Sequence, residues 1–328
     1  MPQFNHSWRY SSYDNSKATN LNDENLRKYA LKRGESLTTE LTIAVLGGDA
    51  RYLEMIRSLQ CSANASVFAV GFEQISQSFT GGIQRELEDI EPQSLDAVIL
   101  PIPGVGSNGQ IETVFSDKNI QLTENWVDQL PKDCVIFTGI TNDYLTELCE
   151  KRNLRLVSLF DRDDVAIYNS IPTAEGAIMT AIKHTDFTIH GSKVVVLGFG
   201  RVGISVASKF DALGANVQVG SIHDADIARI SEMGMRAFFL DRLPEMVKDT
   251  DILINTIPAL VVKRAIIEQL PVQTLIIDLA SKPGGVDFDY AKKRGIEAIH
   301  ALSLPGIVAP KTAGNILSVV IKQILTNS

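Results

Sequence analysis

The chain has 328 residues, 45% hydrophobic and 21% charged, which is enough for roughly two domains of about 150 residues and excludes a disordered or fibrous protein. Its 31 basic and 39 acidic side chains leave a formal charge of −8; the basic residues are scattered singly, so no cationic stripe exists to neutralise a phosphate backbone, and nucleic-acid binding is excluded as the main task. Apolar runs such as Val194 to Leu197 and Ala259 to Val262 fall far short of the ~20 residues of a membrane helix. Met1 to Tyr13 lack the basic and apolar regions of a leader, and Cys61, Cys134 and Cys149 form no C-x-x-C pair, which together predict a reducing, cytoplasmic location.

Residues 1–40 mix Asn, Ser, Lys and Asp without period and are expected to form a polar, mobile extension with a short helix at Asn25 to Lys32. From Leu41 the pattern turns to short β-branched runs alternating with amphipathic segments, the mark of strands and crossover helices in a parallel sheet. Strands are predicted at Leu41 to Leu46, Ser66 to Val70, Ala97 to Leu100, Val135 to Phe137 and Leu156 to Phe160, placing a Rossmann-like substrate or partner domain at 41–171. A helix is expected at Thr173 to His184, opened by Pro172. Strands then follow at Lys193 to Leu197, Ala215 to Val219, Arg236 to Phe239, Ile252 to Asn255, Thr274 to Asp278 and Ile296 to His300. Six strands separated by helix-length segments make a doubly wound unit, so 172–305 is expected to be a dinucleotide-binding Rossmann domain. The amphipathic stretch Ala309 to Leu325 lies in a terminal segment, 306–328, expected to return to the first domain. The fold class is therefore α/β, two doubly wound Rossmann-like domains with parallel sheets, and the cleft between them is the default ligand site.

The strongest local motif is Val194-Val195-Val196-Leu197-Gly198-Phe199-Gly200-Arg201-Val202-Gly203, a strand running into G-x-G-x-x-G and then a helix. Gly198 serves the tight turn, Gly200 the close approach of backbone to pyrophosphate and Gly203 the packing of helix on sheet, while the helix N-terminus offers N–H groups to the anion. A bare glycine-rich turn is the alternative; the strands on either side favour a cofactor. After the next strand an NAD-specific site would carry Asp or Glu, but this chain has Gly220, with Ser221, His223 and Arg201 near enough in sequence to meet a 2′-phosphate. NADP is thus favoured over NAD, with a site that ignores the 2′ position as the alternative. The later strand ends, Asn255-Thr256-Ile257-Pro258 and Asp278 to Gly285, are expected to face the nicotinamide, with Thr256, Ile257, Pro258, Ala280 and Ser281 as contacts and Gly284-Gly285 permitting close approach; two ordinary turns are the alternative.

At the domain junction, Ser170 or Thr173 is expected to cap the helix, with Glu175 or Gly176 in its first turn and the helix start facing the cleft. In Leu46-Gly47-Gly48-Asp49-Ala50-Arg51, Asp49 is expected to cap a helix and leave Arg51 free to point into the cleft, where a guanidinium suits a carboxylate; a solvated arginine is the alternative. The histidines His6, His184, His190, His223 and His300 have no metal-ligand spacing and no cysteine beside them, so no metal site is predicted. Serine-hydrolase chemistry has no support, since G-x-S-x-G is missing.

Taken in order, Leu46 to Arg51, Val165-Ala166-Ile167-Tyr168-Asn169-Ser170-Ile171-Pro172-Thr173, His190-Gly191-Ser192, the Gly198 turn, Asp278 to Gly285 and Leu304 to Gly314 resemble the dipicolinate synthase A-subunit family from about Leu41 to the C-terminus. Two departures are a longer polar start and Gly220-Ser221-Ile222 where Gly-Ala-Arg is expected. The resemblance implies an NADP-dependent oxidoreductase of the sporulating mother cell. With a flavoprotein-like B subunit in an oligomer, it would oxidise dihydrodipicolinate from the lysine pathway to dipicolinate. Aromatising such a ring needs a hydride acceptor and a base, and two substrate carboxylates need cationic or N–H partners. Arg51, Lys282, Lys311 and the helix start at Thr173 are the substrate-binding candidates; His184, His190 and Lys311 are the candidates for the base, with a structural histidine as the alternative for the first two. Two rival readings remain: a dehydrogenase of the 2-hydroxy-acid or alanine type, for which no Arg-Glu-His constellation is found, and a non-catalytic NADP-binding regulatory subunit.

Overall fold

Short β-branched runs, apolar on both faces, build two sheets of six parallel strands, the pattern required of strands covered by helices on both sides. The computed structural model describes residues 40–63, 65–75 and 81–326; the expected extension and its helix lie outside the described residues except for Glu40. In the first half the strands are β1 (Leu41–Leu46), β2 (Ala65–Val70), β3 (Ile83–Gln84), β4 (Ala97–Ile99), β5 (Gln110–Ile111), β6 (Ile120–Gln121), β7 (Val135–Thr138) and β8 (Arg155–Ser158). The sheet order is β3-β2-β1-β4-β7-β8, while β5 and β6 pair separately as an antiparallel hairpin. In the second half β9 (Lys193–Leu197), β10 (Asn216–Ser221), β11 (Arg236–Phe239), β12 (Ile252–Asn255), β13 (Leu275–Asp278) and β14 (Glu297–His300) order as β11-β10-β9-β12-β13-β14. Each sheet therefore reverses direction of winding beside its central strand, between β1 and β4 and between β9 and β12, and ligands bind outside the carboxyl ends of strands at such points.

Helices of five residues or more are α1 (Ala50–Ala63), α2 (Asp143–Glu150), α3 (Asp163–His184), α4 (Arg201–Ala212), α5 (Asp224–Glu232), α6 (Phe288–Arg294), α7 (Leu304–Val308) and α8 (Pro310–Thr326). Local chemistry fixes several ends. Asn142 accepts a hydrogen bond from the Leu145 N–H at 2.9 Å to cap α2, and Asp287 does the same for α6 through Tyr290 at 2.9 Å. Gly295, at φ 71°, closes α6.

Helix α3 corrects the sequence reading of its start. Pro172 does not open a helix; it lies inside one that begins nine residues earlier at Asp163. Proline lacks the N–H that would bond one turn back, yet the helix continues because both of its ends are anchored. Val165 is fully buried near one end, and Ala174, Ala177 and Ala181 are fully buried beyond the proline. Thr173 is consequently mid-helix, its hydroxyl donating to the Asn169 carbonyl at 2.7 Å. Ser170 is not a cap either: its hydroxyl meets Ser205 on α4 at 2.6 Å and the Ile167 carbonyl at 2.6 Å. Glu175 and Gly176 likewise lie well past the first turn.

Helix α8 lies against α1. A side chain at Gly314 would come within 2.1 Å of the Arg51 carbonyl, and Ser318 donates to Ser58 at 2.8 Å. Leu317, Ile321, Val320 and Ile316 are buried on α8, each adding about 1.5–3 kcal/mol for full burial.

Candidate active site

The turn after β9 has the geometry its three glycines suggest. Gly198 has φ 92°, and a Cβ there would sit 2.6 Å from the Thr256 hydroxyl; a Cβ on Gly203 would sit 2.2 Å from the Gly198 carbonyl. Around Gly200, by contrast, a Cβ would meet nothing within 4 Å. The first and third glycines are thus filled against the protein, while the second borders open space at the start of α4, as a pyrophosphate cradle requires. Thr256 fixes this turn from the neighbouring strand by donating to the Leu197 carbonyl at 2.8 Å. Phe199 is buried beside the turn, and Arg201 is exposed and pairs with Asp163 of α3 at 2.9 Å.

The glycine pair of the first sheet is built differently. The Gly48 N–H donates to the Glu112 carbonyl at 2.9 Å, and a Cβ on Gly47 would lie 2.6 Å from that same oxygen. The hairpin side takes the Gly48 N–H and fills the space at Gly47, while the Gly47 N–H donates to the Val70 carbonyl of β2 at 2.8 Å, so this turn offers no phosphate cradle. Only one of the two sheets presents the open turn a dinucleotide needs.

At the far end of β10 the structure supplies a carboxylate that Gly220 lacks. Ser221 is the last strand residue and its hydroxyl donates to Asp226 at 2.5 Å. The carboxylate missing from Gly220 is thus brought back from the first turn of α5. His223 is exposed; its backbone N–H bonds the Ser221 hydroxyl at 3.3 Å. The absence of negative charge at this end therefore does not hold.

After β13 the loop is organised by a fully buried carboxylate. Asp278 accepts from Asn255 Nδ2 at 2.8 Å, from the Ala280 N–H at 3.1 Å and from the Gly285 N–H at 2.7 Å. Three accepted bonds stabilise a buried anion that would otherwise be very costly. They pull the Gly284-Gly285 end back onto the sheet and leave Ser281 and Lys282 exposed at the loop tip. Ile257 and Pro258 flank it from the β12 loop, and His300 Nε2 lies 2.8 Å from the Ala280 carbonyl.

A cavity of about 500 Å³ opens at the carboxyl ends of β1 and β4, with the β5–β6 hairpin as one wall and Ser303, just after β14, in its lining. Arg51 lines it but is not free. Asp49 accepts from its Nε at 2.9 Å and from its Nη2 at 2.5 Å, and Arg51 is only 5% exposed. Asp49 also accepts from the Arg51 N–H at 3.0 Å, so one carboxylate both caps α1 and holds the guanidinium. Tyr52 beside it donates to the Leu100 carbonyl at 2.8 Å, and burial pushes its phenol far above the usual range, which keeps it neutral. Lys118, the second cation of the lining, pairs with Glu86 and Glu73.

Two candidate bases are not brought to this region. His184 sits at the C-terminal end of α3 with Nδ1 2.6 Å from Glu297, the first residue of β14. His190 precedes β9 and packs against Gly214, just before β10. Both therefore lie at the amino ends of the strands, opposite the fingerprint. Lys311 is exposed in the first turn of α8, one turn before the Gly314 contact with Arg51. Sequence reading missed Asp226 and Ser303. An acidic residue in the first turn of a helix ordinarily signals only dipole complementation, and a serine between two elements does not announce its backbone angle. Among the described residues no group of three or more His, Cys, Asp or Glu is placed to hold a metal ion, and no helix is long and apolar enough to cross a membrane.

Residues 42–160 match the family model for the N-terminal domain of the dipicolinate synthase A subunit, and residues 170–275 that for the D-isomer specific 2-hydroxyacid dehydrogenase NAD binding domain. The dipicolinate synthase A subunit of Bacillus subtilis is 51% identical over 289 residues, covering 88% of this chain and 97% of the relative. The crystal structure of the dipicolinate synthase A subunit from Bacillus halodurans superposes with a TM-score of 0.84 at 50% identity, covering 87% of this chain and 97% of its own. That of the Bacillus subtilis protein gives 0.84 at 50% identity, covering 90% and 98%.

Proposed function

The chain belongs to the dipicolinate synthase A-subunit family, and from that premise we propose that it oxidises dihydrodipicolinate to dipicolinate with a nicotinamide dinucleotide as acceptor. It acts with a flavoprotein-like B subunit, in the mother cell of a sporulating bacterium, on an intermediate of the lysine pathway. The observation that carries this reading is the open Gly200 turn within a dehydrogenase-type NAD-binding domain. The turn residues Gly198 to Gly203, with Ser221, His223, Thr256, Ile257, Pro258, Ala280 and Ser281, would hold the dinucleotide. The chemistry supplied by a bound nicotinamide is hydride acceptance.

The remaining work falls to the chain's own residues. The dicarboxylate occupies the cavity beside Arg51, whose Nη donors left over from the Asp49 pair can meet a carboxylate. Asp49 keeps that guanidinium ordered, so little rotamer freedom is lost when substrate binds. Lys282 at the β13 loop tip and Lys311 on α8 add positive potential to a chain of net charge −8. Loss of one hydride and one proton from the ring leaves dipicolinate; Lys311 is the candidate that remains for taking the proton. NADP is the proposed acceptor by family membership, although the Asp226 carboxylate works against a 2′-phosphate.

Purified chain, with and without the B subunit, tests this directly. Dipicolinate and reduced nicotinamide formed in equal amounts support the reading. Dinucleotide binding without turnover under both conditions would assign the chain a regulatory role instead.

A further inference from the structure

Two non-glycine residues among those described have positive φ, Asn153 at 52° and Ser303 at 57°. Asn153 has a local reason: it closes the turn after α2, a position where asparagine tolerates the left-handed region. Ser303 has no such reason. It precedes α7, where an ordinary cap would be extended and would bond the helix with its side chain, yet its hydroxyl caps nothing and makes no hydrogen bond among the described residues. Its carbonyl alone serves the helix, accepting from Gly306 at 3.0 Å and Ile307 at 3.3 Å. Strained, unpaired polar residues of this kind point toward functional positions.

Its position supplies the second observation. Ser303 is the one residue in the cavity lining that follows the second sheet; the others belong to the first half of the chain. Three residues on, a Cβ at Gly306 would lie 3.0 Å from Arg51 Nε. The turn that opens α7 is therefore seated on the cavity's guanidinium, and Ser303 is exposed at its edge.

Resting on the assignment of the cavity to the dicarboxylate, we propose that Ser303 is a substrate-binding residue whose hydroxyl donates a hydrogen bond to a carboxylate held by Arg51. The cofactor-binding half thereby contributes a donor to the site of the other half, and the left-handed backbone aims it there.

Calorimetric titration of the full chain with pyridine-2,6-dicarboxylate, alongside Tm and dinucleotide affinity, separates the outcomes for Ser303→Ala, Ser303→Gly and Ser303→Asn. Both Ala and Gly are expected to weaken dicarboxylate binding about tenfold or more, while Asn, which tolerates positive φ and keeps a donor, stays within about threefold. Gly relieves the backbone and raises Tm, Ala does not, and dinucleotide affinity is the same in all three. Dicarboxylate binding by Ser303→Gly equal to that of the unmodified chain would overturn the proposal, as would losses that follow Tm across the set. Failure of the unmodified chain to bind the dicarboxylate, with dinucleotide binding intact, would instead overturn the assignment of the cavity itself.

Discussion

At the scale of single residues, the ion pair between Arg51 and Asp49 changes what the guanidinium can do. A free surface arginine samples many rotamers; one held bidentate by Asp49 presents its remaining donors in a fixed plane. Arg51→Ala should lower kcat/KM at least tenfold, and Arg51→Lys should not restore it, because an ammonium cannot reproduce the fork. Unchanged kcat/KM in both Arg51→Ala and Lys311→Ala would remove these residues from the substrate site. The thiols behave as core. Burial pushes Cys134 up to about 12 and Cys149 up to about 11, whereas Cys61 is exposed. A thiol reagent should therefore label one cysteine quickly in the native chain and three after unfolding. Above the ordinary thiol value of 9.0 the unfolded chain loses these protons while the folded chain keeps them, so stability falls as pH rises from about 9 toward 12. A denaturant titration series across that range that stayed flat would contradict the burial assigned to both thiols.

At the scale of elements, three glycines within six residues perform different tasks. Gly200→Ala should leave Tm unchanged, since its φ of −85° suits alanine and a Cβ meets no neighbour, but should weaken dinucleotide binding about tenfold or more by filling the space the pyrophosphate needs. Gly203→Ala should lower Tm, because its Cβ meets the Gly198 carbonyl and α4 must move off the sheet. A different element sets cofactor choice: Asp226→Asn should raise the ratio of NADP to NAD in kcat/KM by about tenfold, as a carboxylate near Ser221 is removed. An unchanged ratio would place the 2′ end elsewhere. These contrasts were only partly legible in the chain. Strand runs such as Val194 to Leu197 declare themselves because burial on both faces demands β-branched residues throughout, and the fingerprint follows from spacing alone. The interior proline of α3 reads as a start because the local rule is strong; burial of Ala174, Ala177 and Ala181 outweighs it, and that burial is tertiary. The pairs Ile83–Gln84, Gln110–Ile111 and Ile120–Gln121 are too short to show a period, although Gln110 and Ile111 line the cavity.

At the scale of the whole molecule, two sheets with the same strand order have been given unequal tasks by one local difference. The turn after β9 is open at its second glycine; the turn after β1 is closed by the hairpin wall. The two are coupled by α3, which runs between the sheets, and by the passage from β14 through α7 and α8 back onto α1. The expected return of 306–328 to the first domain rests on the apolar face of a terminal helix; the sequence does not show that α7 and α8 meet Arg51, because those contacts join residues about 250 positions apart. Nor could it exclude His184 and His190, whose nearness to the junction in sequence is undone by their place at the amino ends of the strands. In the proposed reaction, hydride leaves the dicarboxylate ring and enters a nicotinamide held at the Gly200 turn of this chain. Dihydrodipicolinate deuterated at its saturated ring carbons, turned over by the chain with its B subunit, tests that transfer most directly. Deuterium recovered in the reduced nicotinamide, and lost when Gly200→Ala replaces the unmodified chain, is the predicted result; dipicolinate formed with the label released only to water would contradict it.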